Sequence, residues 1–144
     1  MDKTAIELSR TFQAPVAVLF EAIKDGMLLK STGVNPETFT HDFRVNGQYS
    51  LDWVNHGGTC KGRYLQIIPN NKVQFTWNHV HQCKSAPGQE TIVTVTLKDH
   101  GKTCEMLLVH EGLDPGDCYA EHHRGWTTSL DDFATEIARL AKVS

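Results

Sequence analysis

Tyr119, His123, Trp126, Leu130, Phe133, Ile137 and Leu140 recur by fours and threes near the end of the chain. That spacing lines them along one side of a helix about six turns long. An apolar stripe of this length needs an apolar surface to cover it. The preceding chain supplies one, with a different period. ETFTHDF (37–43), QYSLDWV (48–54), TCKGRYLQII (59–68), KVQFTWNHV (72–80), TIVTVTLKD (91–99) and TCEMLLVHE (103–111) read as strands. The connectors V-N-G, N-H-G-G, P-N-N, A-P-G and D-H-G carry turn chemistry. Tyr49, Leu51 and Trp53 alternate with polar neighbours, as do Val73, Phe75 and Trp77, then Val93, Val95 and Leu97, and Met106, Leu108 and His110 fall on alternate positions of the last strand. One wet face and one buried face describe an antiparallel sheet covered on one side.

KTAIELSRTF (3–12) reads as an earlier strand. Ala14-Pro15 then opens a helix, because proline near the first turn gives up an N–H that has no partner there. Val16, Leu19, Phe20 and Ile23 form its apolar face, and Gly26 is a C-terminal stop. MLLKST (27–32) reads as a second short helix. Gly112 is expected to break the last strand, and Asp114-Pro115-Gly116 to start the long helix. The order predicts an α+β fold: a curved antiparallel sheet of about seven strands wrapped around the long C-terminal helix, with two short helices after the first strand. With no linker or repeat, 1–144 reads as a single domain.

The 144 residues are 40% hydrophobic and 22% charged, with a formal net charge of -3. That balance describes a globular chain with no basic excess to neutralise a phosphate backbone, so nucleic acid is not an expected partner. No apolar run approaches the roughly 18 residues of a membrane span, and MDKTAIELSR lacks the basic-then-apolar order of a signal peptide. The expected location is therefore cytoplasmic. Cys60, Cys83, Cys104 and Cys118 are then expected as free thiols, at spacings that do not make a zinc ribbon.

W-N-H-V-H-Q-C (77–83) places His79, His81 and Cys83 at alternate positions. Such a run spans roughly 13 Å of strand, a poor chelate for one metal ion. His79 continues the inward register of Phe75 and Trp77, while His81 and Cys83 run out toward a turn. His110 ends another inward register, where a buried neutral imidazole needs a partner for its N–H. Cys118 and His122 stand four apart on the long helix, a spacing open to a metal but read as helix-surface polarity. His123 falls on the stripe with Tyr119 and Trp126. Gly125, mid-helix, costs about 1 kcal/mol against alanine, which is either tolerated or leaves room for a group to approach the backbone. G-x-S-x-G, H-E-x-x-H, a P-loop and a dinucleotide fingerprint are all absent, and the carboxylates offer no evident acid–base pair.

With that order in hand, five stretches carry a resemblance: RTFQAPVAVLFEAIKD (10–25), VNGQYSLDW (45–53), GRYLQIIPNNKVQFTW (62–77), TVTLKDHGKTCEMLLVHEGL (94–113) and GWTTSLDDFATEI (125–137). Together they are similar to the START-like, or SRPBCC, helix-grip proteins, and among them to the activator-of-heat-shock-protein-90-ATPase homologue family. The chain departs from the family where LLKSTGV (28–34) stands in place of a tryptophan-rich segment, and where a single Gly47 stands in place of a glycine pair. The resemblance implies a cavity between sheet and long helix that binds a small, largely apolar or amphipathic molecule, with no cofactor and no metal expected. By register, Trp53, Phe75, Trp77 and His79 would line it from the sheet, joined by Met106, Leu108 and His110. Tyr119, His123 and Trp126 would line it from the helix. Two other functions stay open: a cyclase- or hydrolase-like enzyme with a cavity histidine such as His79 or His110 as general base, and a chaperone co-regulator.

Overall fold

The computed structural model describes residues 4–54, 58–80 and 90–143. β1 (Thr4–Phe12) is followed by α1 (Val16–Lys24) and α2 (Met27–Lys30). Then come β2 (Thr40–His41), β3 (Gln48–Asp52), β4 (Thr59–Ile68), β5 (Lys72–Val80), β6 (Glu90–Asp99) and β7 (Cys104–Leu113), and finally α3 (Asp117–Val143). The sheet has seven strands in the order β1-β7-β6-β5-β4-β3-β2, and each neighbouring pair is antiparallel. This is the predicted α+β helix-grip arrangement. Among the described residues no helix is long and apolar enough to cross a membrane.

The inward registers match the alternation in the sequence. Tyr49 and Leu51 on β3, Val73, Phe75, Trp77 and His79 on β5, and Val93, Val95 and Leu97 on β6 are buried. So are Met106, Leu108 and His110 on β7. Trp126, Leu130, Phe133 and Ile137 of α3 cover them. Phe133 meets Phe12 of β1 edge-on, with centroids 5.6 Å apart. Each such side chain taken out of water contributes about 1.5–3 kcal/mol, so the helix stripe is the largest apolar term holding α3 in place. Val16, Leu19, Phe20 and Ile23 bury the predicted face of α1.

Two strand ends differ from expectation. The predicted strand 37–43 shrinks to Thr40–His41, because local turns take up the flanking backbone. The amides of Thr38 and Phe39 donate to the Asn35 carbonyl at 3.2 Å, and the amide of Arg44 donates to Asp42. Gly112 does not end β7. Thr4 pairs with Leu113 but Ala5 pairs with Glu111, so Gly112 is the extra residue of a β-bulge, at a φ of 91° that glycine adopts readily. The strand continues through it and turns Leu113 into the core.

Gly62 is needed for a different reason. The Tyr49 ring crosses over it, and its hydroxyl donates to the Thr76 carbonyl at 2.5 Å. The Arg63 amide donates instead to the Thr76 hydroxyl, at 3.0 Å. The ladder between β4 and β5 is thus opened locally and closed again by side chains. A Cβ on residue 62 would sit 2.1 Å from the Thr76 carbonyl oxygen and 2.6 Å from the Tyr49 ring. Backbone on one side and a buried ring on the other leave it nowhere to go. Gly62→Ala is expected to cost about 2–3 kcal/mol of stability, the range of an overpacked core, read as a lower urea midpoint at unchanged slope. An unchanged midpoint would mean that the ring does not lie across this glycine.

Candidate functional site

At the end of the core nearest the start of α3, aliphatic packing gives way to indoles and imidazoles. β5 supplies Trp77 and His79, β7 supplies His110, and α3 supplies His122 and Trp126. The Trp77 ring centroid lies 5.1 Å from that of Trp126 and 5.7 Å from that of His110. His122 lies 5.1 Å from His110 and 4.9 Å from His79. These elements meet because the inward residues near the ends of β5 and β7 face the first three turns of the helix.

Buried polar groups at such a place must find partners, and the indoles decide how. An indole N–H only donates. Trp126 Nε1 donates to His110 Nδ1 at 2.9 Å, so the His110 proton sits on Nε2. That nitrogen donates to Thr91 Oγ1 at 2.7 Å, and the Thr91 hydroxyl donates to the Trp77 carbonyl at 2.8 Å. Trp77 Nε1 donates to His122 Nε2 at 3.2 Å, so the His122 proton sits on Nδ1 and goes to the Cys118 carbonyl at 2.8 Å. Two chains of hydrogen bonds, each started by a tryptophan, thus fix the tautomers of two neutral imidazoles. Both lone pairs are taken by indole N–H groups. In this arrangement His110 has no lone pair with which to act as a general base, and His122 has none for a metal ion. Among the described residues no group of three or more histidines, cysteines and carboxylates could hold one.

Before Trp126, the long helix buries a different edge from the one its spacing predicts. Cys118 and His122, read as surface polarity, are 2% and 1% exposed. Stepping back by fours from Trp126 reaches His122 and then Cys118, and this inner edge faces the sheet. Tyr119 and His123 are half-buried and stack on each other at 5.9 Å, beside the cluster rather than within it. Trp53 is buried 5.8 Å from Trp77, and its indole donates to Thr32 Oγ1 at 3.2 Å. Phe75 belongs to a second aromatic group with Tyr49 and Tyr64. Met106 and Leu108 are buried beside their β6 partners, Leu97 and Val95 respectively. His81 and Cys83 lie outside the described residues.

Cys60 and Cys104 are buried free thiols. Cys118 is disulfide-bonded, unlike the thiol expected of it. Its sulfur, 3.9 Å from His79 Nε2 and 3.8 Å from His122 Nδ1, is therefore not a thiolate ligand. The expectation of free thiols rested on a reducing compartment, and cysteine spacing carries no information about pairing.

Among the described residues, indole and imidazole rings crowd the space between sheet and helix. The void lined by Thr32, Trp77, His122, Gly125, Trp126 and Ser129 measures about 20 Å³, room for one water. Two larger depressions, about 410 and 460 Å³, are open to solvent. One lies on the outer face of the sheet around Lys61, Arg63 and Glu90, the other between α2 and α3 around Lys30, Asp132 and Glu136. Both are lined mainly by polar side chains.

Burial lowers the pKa of all three cluster histidines. His110 is pushed well below its ordinary value of 6.5 by burial and then by His122 and His79. Burial takes His122 down to about 4, with the Cys118 carbonyl opposing and His79 adding. Burial also lowers His79. The folded state holds these imidazoles neutral, whereas the unfolded chain protonates them near pH 6.5. Their stabilisation is therefore complete above that pH and is lost as the pH falls toward 4. The urea-unfolding free energy is expected to drop between pH 7 and pH 5, by up to about 1.4 kcal/mol per pH unit for each imidazole. His122→Leu should reduce that slope by about one proton's worth. A midpoint that does not change between pH 7 and pH 5 would contradict neutral burial.

Comparison with known proteins agrees with this architecture. The family "Activator of Hsp90 ATPase homolog 1-like protein" matches residues 13–138. No curated protein matches the chain. Among solved structures, protein Mll3558 from Rhizobium loti is similar, with a TM-score of 0.79 and 20% identity over 94% of this chain and 97% of the other. The Aha1 dimer from Colwellia psychrerythraea has a TM-score of 0.71 at 18% identity, covering 93% and 96%. DynU16, from the dynemicin biosynthetic locus, has a TM-score of 0.74 at 15% identity, covering 93% of this chain and 47% of that one. At these identities the neighbours speak for the fold. With the family match spanning most of its length, the chain belongs to the Activator of Hsp90 ATPase homolog 1-like family.

Proposed function

We propose that this chain binds a small, neutral, aromatic molecule between sheet and long helix, against the rings of Trp77 and Trp126, and carries out no chemistry on it. One observation carries this reading. The indoles of Trp77 and Trp126 at the internal void donate to His122 and His110, and those imidazoles pass their own protons to the Cys118 carbonyl and the Thr91 hydroxyl. A core needing only stability is served by aliphatic side chains, which require no such accounting. Here the network holds flat rings at fixed angles and leaves their faces as the recognition surface. The void is lined by no charged side chain, only by rings, the Gly125 backbone and the hydroxyls of Thr32 and Ser129. Ring stacking and apolar area would give affinity, and a hydroxyl would orient one polar atom of the ligand. Binding anything larger than a water requires this void to open further. The commitment of its lone pair to Trp126 counts against His110 as the base of the enzymatic alternative.

Membership of the family favours a second reading, chaperone co-regulation through a protein surface. Retention of the chain on immobilised heat-shock protein 90, with no small molecule bound, would support that reading over ours.

Native mass spectrometry of freshly purified protein, before and after denaturation, is expected to show an added mass that denaturation releases. The neutral probe N-phenyl-1-naphthylamine should brighten on the protein and saturate, while its anionic relative 1-anilinonaphthalene-8-sulfonate should not. An unadorned mass together with no saturable response to the neutral probe would overturn the proposal.

A further inference from the structure

Gly125 lies well inside α3, where glycine costs about 1 kcal/mol relative to alanine. The usual structural reasons for a helical glycine fail here. Its φ is not positive, and it is at neither end of the helix. No neighbouring element presses on it: a Cβ built there would meet nothing within 4 Å. Gly62 makes the contrast, since a Cβ there would strike the backbone. The protein as described could carry alanine at 125 and gain stability, so whatever asks for glycine lies outside the packed chain.

Its position suggests what that is. Gly125 is exposed on its outer side and lines the void whose other walls are Trp77, His122, Trp126, Ser129 and Thr32. The missing side chain makes a notch in the helix beside this void. Across the notch, Thr32 is anchored: its hydroxyl donates to the Leu29 carbonyl at 2.7 Å and accepts from the Trp53 indole at 3.2 Å. On the helix side, the Ser129 hydroxyl donates to the Gly125 carbonyl at 2.8 Å, which removes that carbonyl's polarity from the opening. Widening from the Thr32 side would break two hydrogen bonds, whereas the Gly125 side is open by construction.

We propose that Gly125 is the portal and specificity residue of the internal site: its missing side chain lets the edge of a flat, neutral aromatic molecule lie against the helix backbone and reach Trp77 and Trp126. This rests on the ligand-binding reading above. Any side chain at 125 would occupy the path of the ligand without disturbing the unliganded fold. The position would therefore select ligands by thickness.

The test sets stability and binding against each other, using Gly125→Ala and Gly125→Leu with N-phenyl-1-naphthylamine as probe. Gly125→Ala is expected to raise Tm by roughly 3–5 °C and to weaken probe binding about tenfold, the effect of one extra carbon in an apolar site. Gly125→Leu is expected to fold and to give no saturable probe signal. A purely tolerated glycine predicts the same rise in Tm with wild-type affinity, and that result would overturn the inference while leaving the ligand-binding reading in place. If Gly125→Leu fails to fold, Gly125→Ala decides alone by the same two measurements. If the wild-type protein itself does not bind the probe, the reading of the site falls and the portal with it.

Discussion

The bond from the Trp126 indole to His110 Nδ1 governs the interior of this protein. It joins α3 to β7 and decides which nitrogen of His110 keeps its proton, and through that nitrogen it sets the role of the Thr91 hydroxyl. The parallel bond from Trp77 to His122 ties β5 to the helix in the same way. Two donor-only groups thus dictate the protonation pattern of an otherwise ambiguous cluster. The arrangement is favourable only while every member has its partner, because an orphaned polar group at this depth costs more than a hydrogen bond returns. The same logic limits the chemistry. Imidazoles whose lone pairs already accept a proton-bearing neighbour, as those of His110 and His122 do, are poor bases and poor metal ligands.

Much of the fold was legible because strand and helix periods differ so clearly here. Alternation from Tyr49 to Leu51 and from Val73 to Trp77 marks the buried face of a sheet whatever its neighbours are, and Val16 to Ile23 marks one helix face. The short strand near Thr40 was overestimated because alternation does not report where backbone amides find carbonyls. The Asn35 turn claims those of Thr38 and Phe39 first. Gly112 reads as a breaker until pairing with β1 shows it to be a bulge.

The candidate site was legible from the sheet side and, on the helix, at Trp126. Trp77, His79 and His110 follow from register, while the helix side is sensitive to phase. A stripe of mixed fours and threes is wide enough to include both His122 and His123, and spacing alone favoured the half-buried His123 over the buried His122. A signal was present: stepping by fours from Trp126 meets His122 and Cys118, both residues that tolerate burial. The bonds of Trp126 and Trp77 to imidazoles are tertiary facts that spacing does not carry. The departure at LLKSTGV also gains a meaning. Where relatives place tryptophans, this chain places Thr32, whose hydroxyl receives the indole of Trp53 from the facing strand.

The pairing of β1 with β7 brings Thr4 beside Leu113. About three quarters of the chain lies between these partners, so one edge of the sheet is completed by its most distant pairing. Loops of that length make closure entropically slow, and chains dominated by such pairings fold late in their search. The central hairpins β4–β5, β5–β6 and β6–β7 can form from neighbouring sequence. By contrast, the polar cluster draws on β5, β6, β7 and the start of α3, and it cannot be assembled until the last helix has left the ribosome. Until then Trp77, His79 and His110 are exposed on one face of a growing sheet, which gives a nascent chain of this topology its longest interval of vulnerability to aggregation.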